Sequence, residues 1–136
     1  MTQKTELGKL GEDLACRYLV DKGYKIIERN FRKPWGELDI IAKSPDKTLI
    51  FVEVKTGRQS GNQFGNQAGS CPQLPDSGIE PEMQMTSAKI KKLKRTACLY
   101  AGHCPELIDD AKGWRIDLLA LTVNGKSCVV KHYENI

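Results

Sequence analysis

Leu7, Leu10, Gly11, Leu14, Ala15, Tyr18 and Leu19 recur at spacings of three and four, the stripe of an amphipathic helix. The spacing predicts a helix over about 6–22, with Thr5 as its N-cap and Gly23 as a left-handed C-cap. Tyr24 to Asn30 is short and rich in strand formers, and Lys33-Pro34-Trp35-Gly36 reads as a turn. Glu37 to Ala42 and Leu49 to Lys55 are the strongest strand segments, joined by the turn chemistry of Ser44-Pro45-Asp46-Lys47.

From Gly57 to about Pro81 the pattern fades. Gly, Asn, Gln, Ser and Pro dominate there, and the segment is expected to be a mobile loop. Periodicity resumes with Thr86 or Ser87 as N-cap of a helix to about Ala101, its buried face formed by Ile90, Leu93, Ala97, Tyr100 and Ala101. Arg115 to Val123 predicts a strand, Asn124-Gly125 a type I′ turn, and Ser127 to Tyr133 the antiparallel partner. The expected fold is α/β: a mixed central sheet flanked by helices, in the order αβββαββ. One domain spans all 136 residues.

Composition narrows the setting. No apolar run approaches the ~20 residues of a membrane span, and Met1 to Leu10 has no apolar core of an export signal. Five cysteines form an odd, unpatterned set, expected as reduced thiols in a cytoplasmic protein. Lys and Arg total 21 against 17 Asp and Glu, a net charge of +4 that permits a polyanionic partner without requiring one.

The candidate chemistry lies in the central hairpin. Alternation places Glu37, Asp39 and Ile41 on one strand face, and Phe51, Glu53 and Lys55 on one face of the next. A three-residue loop, Pro45 to Lys47, closed by Ser44 and Thr48, sets Asp39 opposite Glu53 and Glu37 opposite Lys55. Opposed carboxylates with Cβ atoms ~5 Å apart repel unless a cation lies between them. Mg²⁺ or Mn²⁺ suits such a pair, because a hard ion held by one or two carboxylates keeps waters for substrate oxygens. A bound ion would polarise a phosphoryl oxygen, and a neighbouring ammonium would steady the developing charge. The plainer reading is a cross-strand Glu/Lys ladder that solubilises the sheet.

Gly36-Glu37-Leu38-Asp39-Ile40-Ile41-Ala42, followed by Phe51-Val52-Glu53-Val54-Lys55, resembles the YraN-like family of bacterial proteins. That family is related to the restriction-endonuclease-like PD-(D/E)xK nucleases and to Holliday junction resolvases. The likeness extends to Gly11-Glu12, Gly23-Tyr24, Arg29-Asn30 and Arg115-Ile116-Asp117. It implies a restriction-endonuclease-like fold, with Asp39 and Glu53 as metal-binding carboxylates and Lys55 as the catalytic lysine. Glu12 matches the first-helix acidic residue that resolvase-like members add to the metal site, and Glu37 matches the motif as well. A homodimer follows from the resemblance alone. Where relatives carry a short Gly/Pro loop after the lysine, Thr56-Gly57-Arg58 opens a longer polar segment.

Secondary candidates are Glu37 and the pair Arg115 and Asp117, which share a strand face and are suited to pair with each other or with Glu37. Lys91, Lys94 and Arg95 face away from Ile90 and Leu93, as a solvated helix face or as phosphate contacts. Trp35 is expected as rim packing and His132 as an exposed side chain. The expected function is metal-dependent hydrolysis of DNA phosphodiester bonds, at branched or single-stranded structures. Its rivals are a non-catalytic nucleic-acid-binding module of the same fold and a protein-interaction domain.

Overall fold

The computed structural model describes residues 6–58 and 85–136. Helix α1 covers Glu6–Asp21, and strands β1, β2 and β3 cover Lys25–Lys33, Gly36–Lys43 and Leu49–Arg58. Helix α2 covers Ser87–His103, a 3₁₀ turn follows at Pro105–Leu107, and β4 (Trp114–Asn124) and β5 (Ser127–Tyr133) end the fold. The expected order αβββαββ is the order found. The five strands form one mixed sheet in chain order, antiparallel throughout except for the β3–β4 pair.

Each face of the sheet carries one helix and one apolar core. Beneath α1, Ala15 and Leu19 meet Ile40, Ala42, Ile50, Val52, Leu119 and Leu121. Beneath α2, Ala97, Tyr100 and Ala101 meet Phe31, Leu38, Ile41, Leu49, Phe51 and Ile116. Each fully buried Leu, Ile or Phe contributes roughly 1.5–3 kcal/mol relative to exposure. The central strands β3 and β4, covered on both sides, read as apolar runs rather than as alternation, as a parallel pair with two covered faces must.

Local signals explain most boundaries. Gly23, at φ +93°, ends α1: its N–H donates to Val20 O and that of Tyr24 to Leu19 O, closing the helix with a left-handed residue. Thr86 caps α2, its hydroxyl accepting from Lys89 N at 3.2 Å. The proposed Thr5 cap lies outside the described residues. So does the expected loop beyond Arg58, whereas Gly57 and Arg58 extend β3 and pair with Thr122 and Val123.

Two expectations are corrected. The last hairpin turns at Gly125-Lys126, one residue later than expected, closed by the Asn124–Ser127 pair. Only Gly125 of the two has positive φ, +59°, which fits a type II′ turn rather than type I′. Strict alternation also fails in β1 and β2. Arg29 turns to α1 and Ile40 to the core beneath it, whereas Phe31 and Leu38, two residues away, join the core under α2. Asn30 lies between Arg29 and Phe31 at φ +54°, a left-handed conformation that Asn tolerates better than most residues. Asn30 and Asp39 both lie between the Arg29–Ile40 and Phe31–Leu38 pairs, where the sheet changes face.

Candidate active site

The β2–β3 register is the one that the loop length sets: Lys43 pairs Leu49, Ala42 Ile50, Ile41 Phe51 and Ile40 Val52. One step further the strands part. Asp39 does not continue the ladder; its Oδ2 accepts the Val54 N–H at 2.9 Å. Strand β3 meanwhile stays paired with β4 along its whole length, Glu53 beside Leu118 and Lys55 beside Ala120. The result is a wedge between the start of β2 and the end of β3, walled by α2.

This wedge is a groove of about 640 Å³. Asp39, Glu53 and Glu37 line its sheet side, Lys33 and Trp35 its rim at the β1–β2 turn. The side chain of Glu53 is 17% exposed and that of Lys55 22%, with Lys55 Nζ 3.3 Å from Glu53 Oε2. Burial, and then the negative charge of Asp39 beside it, push the Glu53 carboxyl up to about 7; Lys55 pulls in the other direction. The Asp39 carboxylate is also within hydrogen-bonding reach of Glu53. Two carboxylates share one half-buried spot beside the Lys55 ammonium, an arrangement that favours either an added proton or an added cation. Among the described residues, no three His, Cys, Asp or Glu side chains form a ready metal cage. The donor set present fits a hard divalent ion held by Asp39 and Glu53 and completed by water, the usual manner of Mg²⁺.

The remaining candidates disperse. Glu12 is buried at 2% exposure on α1, with Arg29 Nη2 at 3.4 Å from its Oε1, while Asp13 takes the same guanidinium at 2.7 Å. It lines a separate cleft with Lys9, Asp13, Arg29 and Arg32 rather than the groove of Asp39 and Glu53. Glu37, expected opposite Lys55, pairs across the β1–β2 ladder with Arg32 at 2.9 Å, because β2 and β3 have already separated there. Of the three helical cations singled out, Arg95 lines the groove; Lys91 and Lys94 are exposed and do not. Lys89 and Lys92 line it instead.

Arg115 and Asp117 do pair with each other, on the α1 face. Arg115 Nε donates to Asp117 Oδ1 at 2.9 Å and Nη2 to Oδ2 at 3.3 Å. His132 is no exposed side chain: its Nε2 lies 2.8 Å from Asp117 Oδ2, and its Nδ1 3.2 Å from the Tyr18 hydroxyl. Asn135 N–H adds a fourth contact to Asp117 at 3.0 Å. Burial alone would raise the Asp117 carboxyl, but the hydrogen bonds from His132, Arg115 and Asn135 hold it below the usual carboxylate range. Trp35 packs at the rim as expected, tilted against Phe31 and stacked on His103.

Comparison with known sequences agrees with the resemblance to the YraN-like family. Residues 11–121 match the sequence model of uncharacterised protein family UPF0102. The chain belongs to this family. A UPF0102 protein of Corynebacterium efficiens is 52% identical over 139 residues, covering 99% of this chain and 94% of its own. UPF0102 proteins of Thermodesulfovibrio yellowstonii and Syntrophomonas wolfei are 37% and 36% identical, each covering at least 96% of both chains. The family match takes in Glu12, the whole Asp39–Lys55 hairpin and Asp117, and ends before β5 and His132.

Proposed function

We propose that the protein is a metal-dependent hydrolase of DNA phosphodiester bonds, acting in the cytoplasm, with Asp39 and Glu53 holding Mg²⁺ or Mn²⁺ and Lys55 beside them. The observation that carries this reading is the carboxylate pair at the open wedge, where burial and mutual repulsion keep Glu53 near pH 7. A purely structural ladder gains nothing from that placement. A bound ion supplies a polarised phosphoryl oxygen and a more acidic water. The chain's own residues do the rest. Asp39 is fixed by the Val54 N–H, so its second oxygen keeps one orientation. Lys55, 3.3 Å from Glu53, is placed to hold a water or to offset charge building on the phosphate. The cations of α2 give the substrate backbone a wall to lie against.

Calorimetric titration with Mn²⁺, beside a plasmid-nicking assay, tests the reading. Asp39→Asn keeps the Val54 contact but removes an anionic ligand, so ion affinity should fall tenfold or more while the fold persists. Lys55→Ala should bind the ion nearly as before and lose turnover. If wild-type protein binds no divalent ion with or without DNA, the hydrolase reading fails. Ion-independent DNA binding without turnover would favour the second reading, a nucleic-acid-binding module, for which the cationic wall of α2 is the supporting observation.

A further inference from the structure

The groove has two kinds of lining. Its cations are Lys89, Lys92 and Arg95 on α2, with Lys33 on the opposite bank. Steps of three residues put the helical trio on one face, spread over roughly 9 Å of helix axis. Its apolar members are Trp35, Met85, Leu93 and Leu99. Leu99 is 41% exposed. The Trp35 ring is held in place, its centroid 5.6 Å from that of Phe31 and 6.1 Å from that of His103, the latter at an interplanar angle of 28°.

Double-stranded DNA presents phosphates outward and hides its base faces in the stack. A cationic wall alone would serve it, and an exposed apolar floor would not. An unpaired strand alternates phosphates with flat apolar faces and matches both linings at once. We infer that this groove receives an unpaired nucleic-acid strand, its phosphates along Lys89, Lys92 and Arg95 and its bases against Trp35, Leu93 and Leu99. The strand then runs past Asp39 and Glu53; what happens to it there rests on the hydrolase reading, whereas the binding does not. Lys91 and Lys94, on the outer face of the same helix, take no part.

The test is fluorescence anisotropy of the full chain with labelled oligothymidylate and with a duplex of equal length, over a range of salt. The single strand should bind at least tenfold more tightly. Replacing Lys89, Lys92 and Arg95 together by Ala should lower the slope of log affinity against log salt by about 2, since each contact on a single strand contributes about 0.7. Lys91→Ala with Lys94→Ala should leave the slope unchanged. Trp35→Ala should cost about tenfold, and Trp35→Phe, which keeps a ring against Phe31, should recover most of it. Equal or tighter duplex binding, or a slope change carried by Lys91 and Lys94, overturns the inference. So does binding of an acidic peptide with no binding of any oligonucleotide. Single strands bound as described but never cut by wild type with Mg²⁺ or Mn²⁺ would sink the hydrolase reading and leave this one standing. Duplex cutting indifferent to Lys89, Lys92 and Arg95 would do the reverse.

Discussion

Two polar clusters lie on opposite faces of one sheet, and their electrostatics are opposed. On the α1 face, Asp117 is wholly buried and meets Arg115, His132 and the Asn135 N–H, with Tyr18 and Tyr24 closing the set. Its donors hold the carboxyl below the ordinary range. On the α2 face, Asp39 and Glu53 crowd together with Lys55, and Glu53 is pushed up to about 7. The first cluster is a buried anion whose partners already suffice. The second is poised for a further positive charge, and it opens onto a groove. Acidic side chains alone do not mark a working site; the mismatch between the charges present and the charges compensated does.

The largest expected effect breaks the satisfied cluster. Asp117→Ala strips Arg115 and His132 of their acceptor and should cost about 3–5 kcal/mol, read as a shift of the urea midpoint. Next is the poised cluster, where the sign reverses. Glu53 has a folded pKa raised from 4.5 to about 7, so between those values the native state holds a proton that the unfolded chain has released. Stability from this group therefore falls as pH rises from 4.5 to 7 and stays low above. Glu53→Gln should match wild type below pH 4.5 and exceed it at pH 8 by up to about 3 kcal/mol in chelator. Asp117, with its lowered pKa, contributes in the other direction, its share present above pH 3.8 and lost on acidification. Equal pH profiles for wild type and Glu53→Gln would erase the contrast.

The same contrast explains what the sequence could disclose. The register of β2 on β3 was legible as far as the Ile40–Val52 pair because loop length and alternating apolar residues both fix it; beyond that pair Asp39 and Glu53 come together off the ladder. The parting of the strands at Asp39 was not, because neither loop length nor alternation encodes where a ladder ends. The Arg115–Asp117 pairing could be read from strand parity, and His132 falls on the same face under the expected and the observed turn alike. That Tyr18 from α1 and the Asn135 N–H close over the group could not be read from the strands. On α2, periodicity located the core stripe at Ala97, Tyr100 and Ala101. It did not say which cations of the helix border the groove: Arg95 does, together with Lys89 and Lys92, and only the position of α2 over the sheet decides that.

Both helices sit close to the sheet at a glycine, which gives a third way to separate the two faces. A Cβ on Gly36 would lie 2.1 Å from Thr96 Oγ1, and one on Gly11 1.9 Å from Thr56 Oγ1. Each substitution to Ala should cost about 1–3 kcal/mol through overpacking. Gly36→Ala should also move α2 off the groove and weaken oligonucleotide binding, with partial recovery on adding Thr96→Ala. Gly11→Ala should lower stability alone, because α1 borders the other face. Equal loss of binding in both variants would mean that the groove is not a local property of the α2 face.

The smallest effect tests whether the cationic half of α2 stands on its own cap. Thr86 accepts the Lys89 N–H, and Lys89 begins the row along the groove. Thr86→Ala removes one of the acceptors that the first turn of a helix needs, at a cost of about 1 kcal/mol. The loss should be local. The backbone amides of Lys89 and Ile90 should exchange with solvent faster, and oligonucleotide affinity should drop two- to threefold as the first cation frays. The amides flanking Asp117 should keep their protection, since that network draws on β4, β5 and α1 and on nothing in α2. Unchanged exchange at Lys89 would show that contacts with the sheet, rather than the cap, order the cationic wall, and the two faces would then differ less in rigidity than in charge.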